Sequence, residues 1–419
     1  MSTAEYSHQH DATLDEVVIT VIMARVTDFF GFFVYAVASA LVFPKLFFPM
    51  YDPLTATLLS FAIFALAFLV RPLANPMSRM LQARIGKPGK VVFALMLLGT
   101  STVAIGLLPG YEKIGWAAPV LLAVLRILQG LGLGGSWDGL TLQLQHVAPA
   151  NRQGLYAMVP QLGGPIGFVV AVSLFYVLTG FLTEEEFLTF GWRFTFFAVM
   201  AVNVVSLFAR LRLLNADLGV EEELVTSAPL KEVISTQWRT IMLSAFLPLA
   251  SYALFHMVTV FPLGYTTLFT DRSVTDILLI QMAGGTLAIF TVILSGILVD
   301  RFSRRLVLSA STALIVALAL MIGLLDSHPA LFLMFGFAIF GLAYGQASAI
   351  APRRFALAYR YSGTALATNL SWIFGAAFAP LVGLGLVAMF GLSAAALYLL
   401  SGAVVTFAAI RILNRREAS

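Results

Sequence analysis

Two ionisable side chains sit where hydrocarbon should surround them. Asp28 lies in ARVTDFFGFFVYA and Arg126 in VLLAVLRILQGLGLGG. Each falls about ten residues into an apolar run, near mid-depth at about 1.5 Å per helical residue. A charge there costs several kcal/mol, roughly, unless it faces a partner or water, so it points to function. If their helices face each other the two can pair. Arg126 would then attract an anionic group of a substrate, and Asp28 would take up and release a proton. A plainer alternative is a static pair between Asp28 and Arg25, one helical turn apart.

Polar neighbours extend both faces. Tyr35 lies two turns beyond Asp28, and Gln129 one turn beyond Arg126. Gln161 sits in PQLGGPIGF, where Pro160 and Pro165 should bend a helix and expose carbonyls. Further along, Tyr252 and His256 are spaced i,i+4, followed by Gln281, Tyr344, Gln346, Asn369 and Trp372. His256 is a candidate proton carrier or a neutral histidine held by one hydrogen bond. Tyr252, His256 and Asn369 join Arg126, Gln129, Tyr35 and Gln161 as expected substrate contacts. Asp138 is about 18 Å along the helix from Arg126. That places it beside the basic turn that carries Arg84, as a gate. Asp300 with Arg301 and Arg304 would serve the same purpose later in the chain.

The elements that must position these groups follow from composition. Apolar residues make up 60% of the 419 and charged residues 11%, too little polar surface for a water-soluble body of this size. Twelve apolar helices are expected, near 17–46, 55–78, 90–109, 117–144, 154–179, 191–212, 239–265, 274–299, 306–325, 330–350, 361–386 and 390–411. A polar stretch at 213–238 parts them into six-helix halves, 17–212 and 239–411, with tails at 1–16 and 412–419. Of 25 Lys and Arg, 19 fall at one set of loop ends, Arg71 and Arg210 among them. Lys45, Lys113, Arg193 and Arg272 lie at the other, and Arg25 and Arg126 lie within spans. This imbalance puts both termini in the cytoplasm. The polar, mildly acidic N-terminus lacks the basic region of a signal peptide.

Other patterns carry no chemistry. There is no cysteine, which excludes disulfides, thiolate zinc, iron–sulfur ligation and a catalytic thiol. Gly130, Gly132 and Gly135 match a dinucleotide fingerprint, but no strand precedes them. They read as small residues that let helices approach. Residues 183–186 (TEEE) and 273–276 (SVTD) have capping-box spacing. The five histidines show no metal-ligand spacing. No nucleophile–base pair supports a hydrolase, a kinase or a redox enzyme, and no cofactor is implied.

The twelve-span, two-halved plan, with basic turns at 83–90 (ARIGKPGK) and 300–305 (DRFSRR), resembles the major facilitator superfamily. More narrowly it is similar to the metabolite:proton symporters of citrate, 2-oxoglutarate, shikimate and proline or betaine. DFFGFFVYA (28–36), RPLANPM (71–77), RILQGLGLGGSWDG (126–139), NRQGLYAMVPQLGGPIG (151–167), GWRF (191–194) and RYSGTALATNLSWIFGAAFAP (360–380) carry the likeness. The chain departs from the family pattern where acids are usual, with Gly31, Ala83 and Ser136, and where an arginine is usual, with Ala358. Those departures bear on proton coupling and gate strength, and Asp138 is a candidate replacement for the gate acid.

The resemblance implies a bacterial-type inner-membrane secondary transporter, monomeric, that imports a small organic anion with a proton. Asp28 and Arg25 would couple the proton, and nucleic acid is no partner. An alternative is a facilitator or exporter of zwitterionic or hydrophobic solutes, to which the phenylalanines at 29–33 would suit. A membrane sensor without transport, or an embedded enzyme, finds less support in these residues.

Overall fold

The computed structural model describes residues 14–136, 144, 148–214 and 228–418. It is all helical among those residues. Nine of its helical stretches are long and apolar enough to cross a membrane. The longest, Pro53–Leu107, turns at Gly86, whose φ of 74° is the left-handed region that glycine enters at little cost. It therefore supplies two spans. The shorter apolar helix Pro329–Tyr344 and the 17-residue helix Arg304–Leu320 bring the described spans to twelve.

We number them α1 (Leu14–Leu41), α2 (53–85), α3 (87–107), α4 (Ala117–Gly135), α5 (Gln153–Phe181) and α6 (Trp192–Leu214) for the first half. The second half has α7 (Leu230–Phe246, continued by Leu249–Phe269), α8 (Val274–Arg301), α9 (Arg304–Leu320), α10 (Pro329–Tyr344), α11 (Leu357–Phe390) and α12 (Ala396–Ala418). Several limits differ from the sequence expectation, among them the end of α12, which runs to Ala418 through the stretch read as a tail. α2 continues through Pro72 and Pro76 to Gly86, and α7 begins at Leu230, within the stretch read as a linker. The end carrying Arg84, Arg301 and Arg411 is the basic end; the end carrying Lys45 and Glu184 is the far end.

Small residues set the packing of the first half. A Cβ on Gly130 would lie 2.5 Å from the Ala67 carbonyl oxygen of α2, and one on Gly132 would lie 2.9 Å from that of Ala94 in α3. The fingerprint glycines thus seat α4 between α2 and α3, as packing residues do. A Cβ on Gly163 would collide with Arg25, so α5 crosses α1 there and fixes the face that Arg25 and Asp28 present.

Prolines break the helices of both halves, and side chains repair the breaks. Val159–Leu162, around Pro160, is a tighter 3₁₀ turn. In α7, Pro262 cannot donate to the Val258 carbonyl. Gln281 of α8 replaces that bond, its Nε2 donating to Val258 O (3.0 Å) and Thr259 O (2.8 Å). At the far end the TEEE capping box forms in both directions between Thr183 and Glu186. At SVTD only the Ser273 cap forms, on Thr275 N–H. Lys45 reaches Glu184 at 2.5 Å, which holds that carboxyl below its ordinary pKa.

Candidate functional site

The functional groups gather in two places, one between the halves and one inside the first half. A cavity between the halves is lined by Arg25 and Asp28 of α1, Arg71 and Asn75 of α2, Arg210 of α6, and Thr368, Asn369 and Trp372 of α11. Asp28, 7% exposed, takes a 2.7 Å bond from Arg210 Nη2 and faces Arg25 Nη1 at 3.6 Å. Arg210 also donates to Ala24 O (2.9 Å). Among the described residues, three guanidinium groups thus share this cavity with one carboxylate. Arg25 Nε, Arg71 Nε and Asn75 Nδ2 are buried without a hydrogen-bond partner in the protein. Such donors are costly to leave unmet in a low-dielectric site, so they suit an anionic ligand.

The cavity is nearly closed, at about 40 Å³. That is room for a few waters, whereas a small-molecule site spans about 300 Å³ or more. Toward the far end it is sealed by rings from both halves. Phe29, Phe32 and Phe33 of α1 and Phe68 of α2 meet Phe255 of α7 and Trp372 of α11, with Phe33 stacked on Phe255 at 5.3 Å and Phe68 on Trp372 at 5.7 Å. Tyr252 stands edge-on to Trp372 at 4.8 Å. His256 lies within this ring cluster, fully buried, its Nδ1 3.2 Å from Thr259 Oγ1 and its Nε2 without a partner. Arg71 sits 5.8 Å over the Trp372 ring and so bridges the halves.

Arg126 belongs to the second place. It stacks 3.7 Å over the Tyr35 ring and donates from Nε to Phe64 O (3.2 Å) and from Nη1 to Gln129 Oε1 (3.1 Å). Gln129 passes the chain on to Thr102 Oγ1 (2.8 Å). Arg126, Gln129 and Tyr35 therefore come together, but behind Phe32 and away from the inter-half cavity. The expected Asp28–Arg126 pair does not form, because the glycines of α4 turn Arg126 toward α2 and Tyr35 while Arg210 of α6 reaches the acid. Gln161 is buried in the 3₁₀ turn of α5. Asn369 lines the inter-half cavity.

At the basic end Asp300 of α8 reaches the first half. Its carboxylate accepts from the N–H groups of Gly154 (2.5 Å) and Leu155 (3.1 Å), at the positive end of α5. Gln346 donates to Gly154 O (3.1 Å) and receives Arg304 Nε (3.3 Å). These bonds join α5 to α8 and to the segment after α10, across the halves. Arg84 and Arg301 are exposed, and Asp138 lies outside the described residues.

Sequence reasoning missed Arg71 and Arg210, which it left at loop ends, and did not rank Asn75 or Trp372 as substrate contacts. One signal was available: an acid as deep as Asp28 needs a counter-charge, and Arg210 is among the cations that the reading left at span ends.

The model of the Major Facilitator Superfamily matches residues 29–369. The chain is 36% identical over 413 residues to the inner membrane metabolite transport protein YhjE of Escherichia coli K12, covering 96% of this chain and 94% of that one. It is 28% identical to the shikimate transporter of the same organism, over 91% and 90% of the two chains. Among solved structures it superposes on a D-xylose-proton symporter with a TM-score of 0.71 at 16% identity, covering 95% and 97%, which is a likeness of fold.

Proposed function

This chain belongs to the Major Facilitator Superfamily, as a multi-pass metabolite transporter and not an enzyme, and on that premise we propose that it carries a small organic anion by proton symport. The observation that supports this most is the inter-half cavity, where Arg25, Arg71 and Arg210 stand around the carboxylate of Asp28. The anionic group of the substrate binds Arg71 and Arg25, whose Nε atoms have no partner in the protein. Asp28 is the coupling acid and Arg210 its clamp. Protonation of Asp28 removes the negative charge opposite Arg210 and lets that guanidinium turn toward the substrate. Rocking of the halves widens the cavity to one side at a time.

In this reading Trp372, Tyr252 and Asn369 shape the wall that faces the body of the substrate, and His256 offers Nε2 to it. Arg126 and Gln129 stiffen α4 behind the site. The basic end is cytoplasmic, by the excess of Lys and Arg there, and both termini lie on that side. The Asp300–α5 bonds close that side, opening when the halves part.

The test is ligand-dependent thermal stability of the purified chain, with mono-, di- and tricarboxylates, aromatic acids, betaines and amino acids at acidic and neutral pH. A ligand at about a hundred times its Kd stabilises by about 2.7 kcal/mol. Carboxylates should stabilise, more at low pH, and Arg71→Ala should abolish the effect. Stabilisation by zwitterions or apolar compounds alone, unchanged in Arg71→Ala, contradicts the anion reading.

A further inference from the structure

A second cavity lies inside the first half, among α1, α2, α3, α4 and α6. Thr27, Asp28, Thr102, Arg126, Gln129 and Asn203 form its polar walls. At about 20 Å³ it has room for one or two particles the size of a water molecule. Asp28 and Leu133 also line the inter-half cavity, so the two cavities share a wall there.

Three polar atoms of the lining residues are buried without a hydrogen-bond partner in the protein: Arg126 Nη2, Asn203 Nδ2 and Asn203 Oδ1. Arg126 is 3% exposed and Asn203 2%. The hydrogen bonds that Arg126 does make go to neutral acceptors, Phe64 O and Gln129 Oε1. Its guanidinium carbon lies 3.7, 5.0 and 5.9 Å from the centres of the Tyr35, Phe64 and Phe32 rings. Asp28, the acid of this cavity, turns Oδ1 to Arg210 at 2.7 Å and Oδ2 to Arg25 at 3.6 Å. Arg126 is thus a buried cation without an ion-pair partner among the described residues.

Ring faces relieve part of such a charge, but a site of low dielectric favours a full counter-charge. Water alone would meet the free N–H groups and leave the charge as it is. A carboxylate or a phosphate is too large for this space. A single-atom anion fits the space, supplies the charge and accepts from N–H donors. The second particle, a water, can donate to Asn203 Oδ1.

We propose that this cavity binds one chloride ion, held by Arg126 Nη2 and Asn203 Nδ2. The ion neutralises Arg126 and ties α4 to α6 at the back of the first half. It is a site apart from the one that takes the transported solute, and it stands whether or not that solute is an anion.

The test uses the full purified chain with sodium bromide, sodium chloride or sodium methanesulfonate at equal ionic strength. Crystals grown in bromide should give an anomalous peak within hydrogen-bond distance of Arg126 Nη2 and Asn203 Nδ2. Water density there without a peak, or bromide only at the protein surface (an adventitious ion only), overturns the proposal. In thermal unfolding the two halides should raise Tm by about 2 °C over methanesulfonate, in a saturable manner. The rise should vanish in Asn203→Leu and persist in Arg71→Ala, which alters the inter-half cavity and leaves this one intact. A rise that survives Asn203→Leu, or that is lost in Arg71→Ala, places the halide elsewhere and overturns the proposal. If Asn203→Leu does not fold, Asn203→Asp decides, because it sets a fixed carboxylate beside Arg126. Its Tm should no longer respond to halide, and an undiminished response overturns the proposal.

Discussion

The two halves share a fold and differ in where their charge is buried. In the first half Asp28, Lys90, Arg126 and Arg210 are all under 9% exposed. In the second half, among the described residues, no Asp, Glu, Lys or Arg is buried; its inner face offers Tyr252, His256, Tyr344, Asn369 and Trp372. A buried charge resists relocation and responds to protons, whereas rings and amides discriminate shape at little electrostatic cost. The difference teaches a division of labour. We assign charge recognition and proton coupling to the first half, and selection of the substrate body to the second.

Variants that break this division should differ in size and in kind. The largest effect belongs to Asp28→Leu, which removes the buried carboxylate that Arg210 Nη2 bonds at 2.7 Å. It should lower unfolding stability by about 3–5 kcal/mol, and Asp28→Leu/Arg210→Leu should recover most of that loss. Chemical denaturation of the three forms checks it; a double variant no better than the single would separate the two residues. Next is Arg71→Ala, which should weaken carboxylate binding about tenfold to a hundredfold, the value of a charged hydrogen bond. Arg71→Lys should not restore it fully, since a lysine lacks the fork that meets a carboxylate and the plane that lies over Trp372.

Second-half variants should act on selectivity instead. Trp372→Phe should change affinity by about 0.5–1.5 kcal/mol and reorder the preferred anions. Its pH profile should match that of the unaltered chain, and a shifted profile would place proton coupling in the second half as well. The smallest effect is expected at the far end. Glu184→Gln removes an exposed pair with Lys45, worth at most about 1 kcal/mol at neutral pH. Lys45 depresses the Glu184 pKa, so the pair's contribution is present at neutral pH and fades as pH falls through that depressed value. Melting curves of the two forms should therefore converge in acid.

Hydropathy made the twelve-helix plan legible, because nothing but a helix satisfies its own backbone in hydrocarbon. The central site was legible only in part. Asp28 and Asn369, both singled out from the sequence, line the cavity, and Arg25 stands beside Asp28. Arg71 and Arg210 escaped notice because hydropathy ends a helix where polar residues begin. It cannot tell a polar turn that leaves the membrane from one that lines a cleft between halves. Arg126 posed a different problem. Its depth was readable, but matching depth does not imply facing sides, and the face is set by how Gly130 and Gly134 seat α4 on α2. Asp300 shows a third limit: an acid's partner there is a pair of backbone N–H groups, which no side-chain pattern announces.

The most direct test of the central claim is carboxylate uptake into proteoliposomes, with and without an imposed inward proton gradient, for the unaltered chain and Asp28→Asn. The substrate used is whichever carboxylate stabilises the purified protein. Uptake above equilibrium that requires the gradient, and that Asp28→Asn reduces to gradient-independent exchange, is the predicted result. Accumulation that persists in Asp28→Asn, or that ignores the gradient in the unaltered chain, would contradict coupling through the buried charges of the first half.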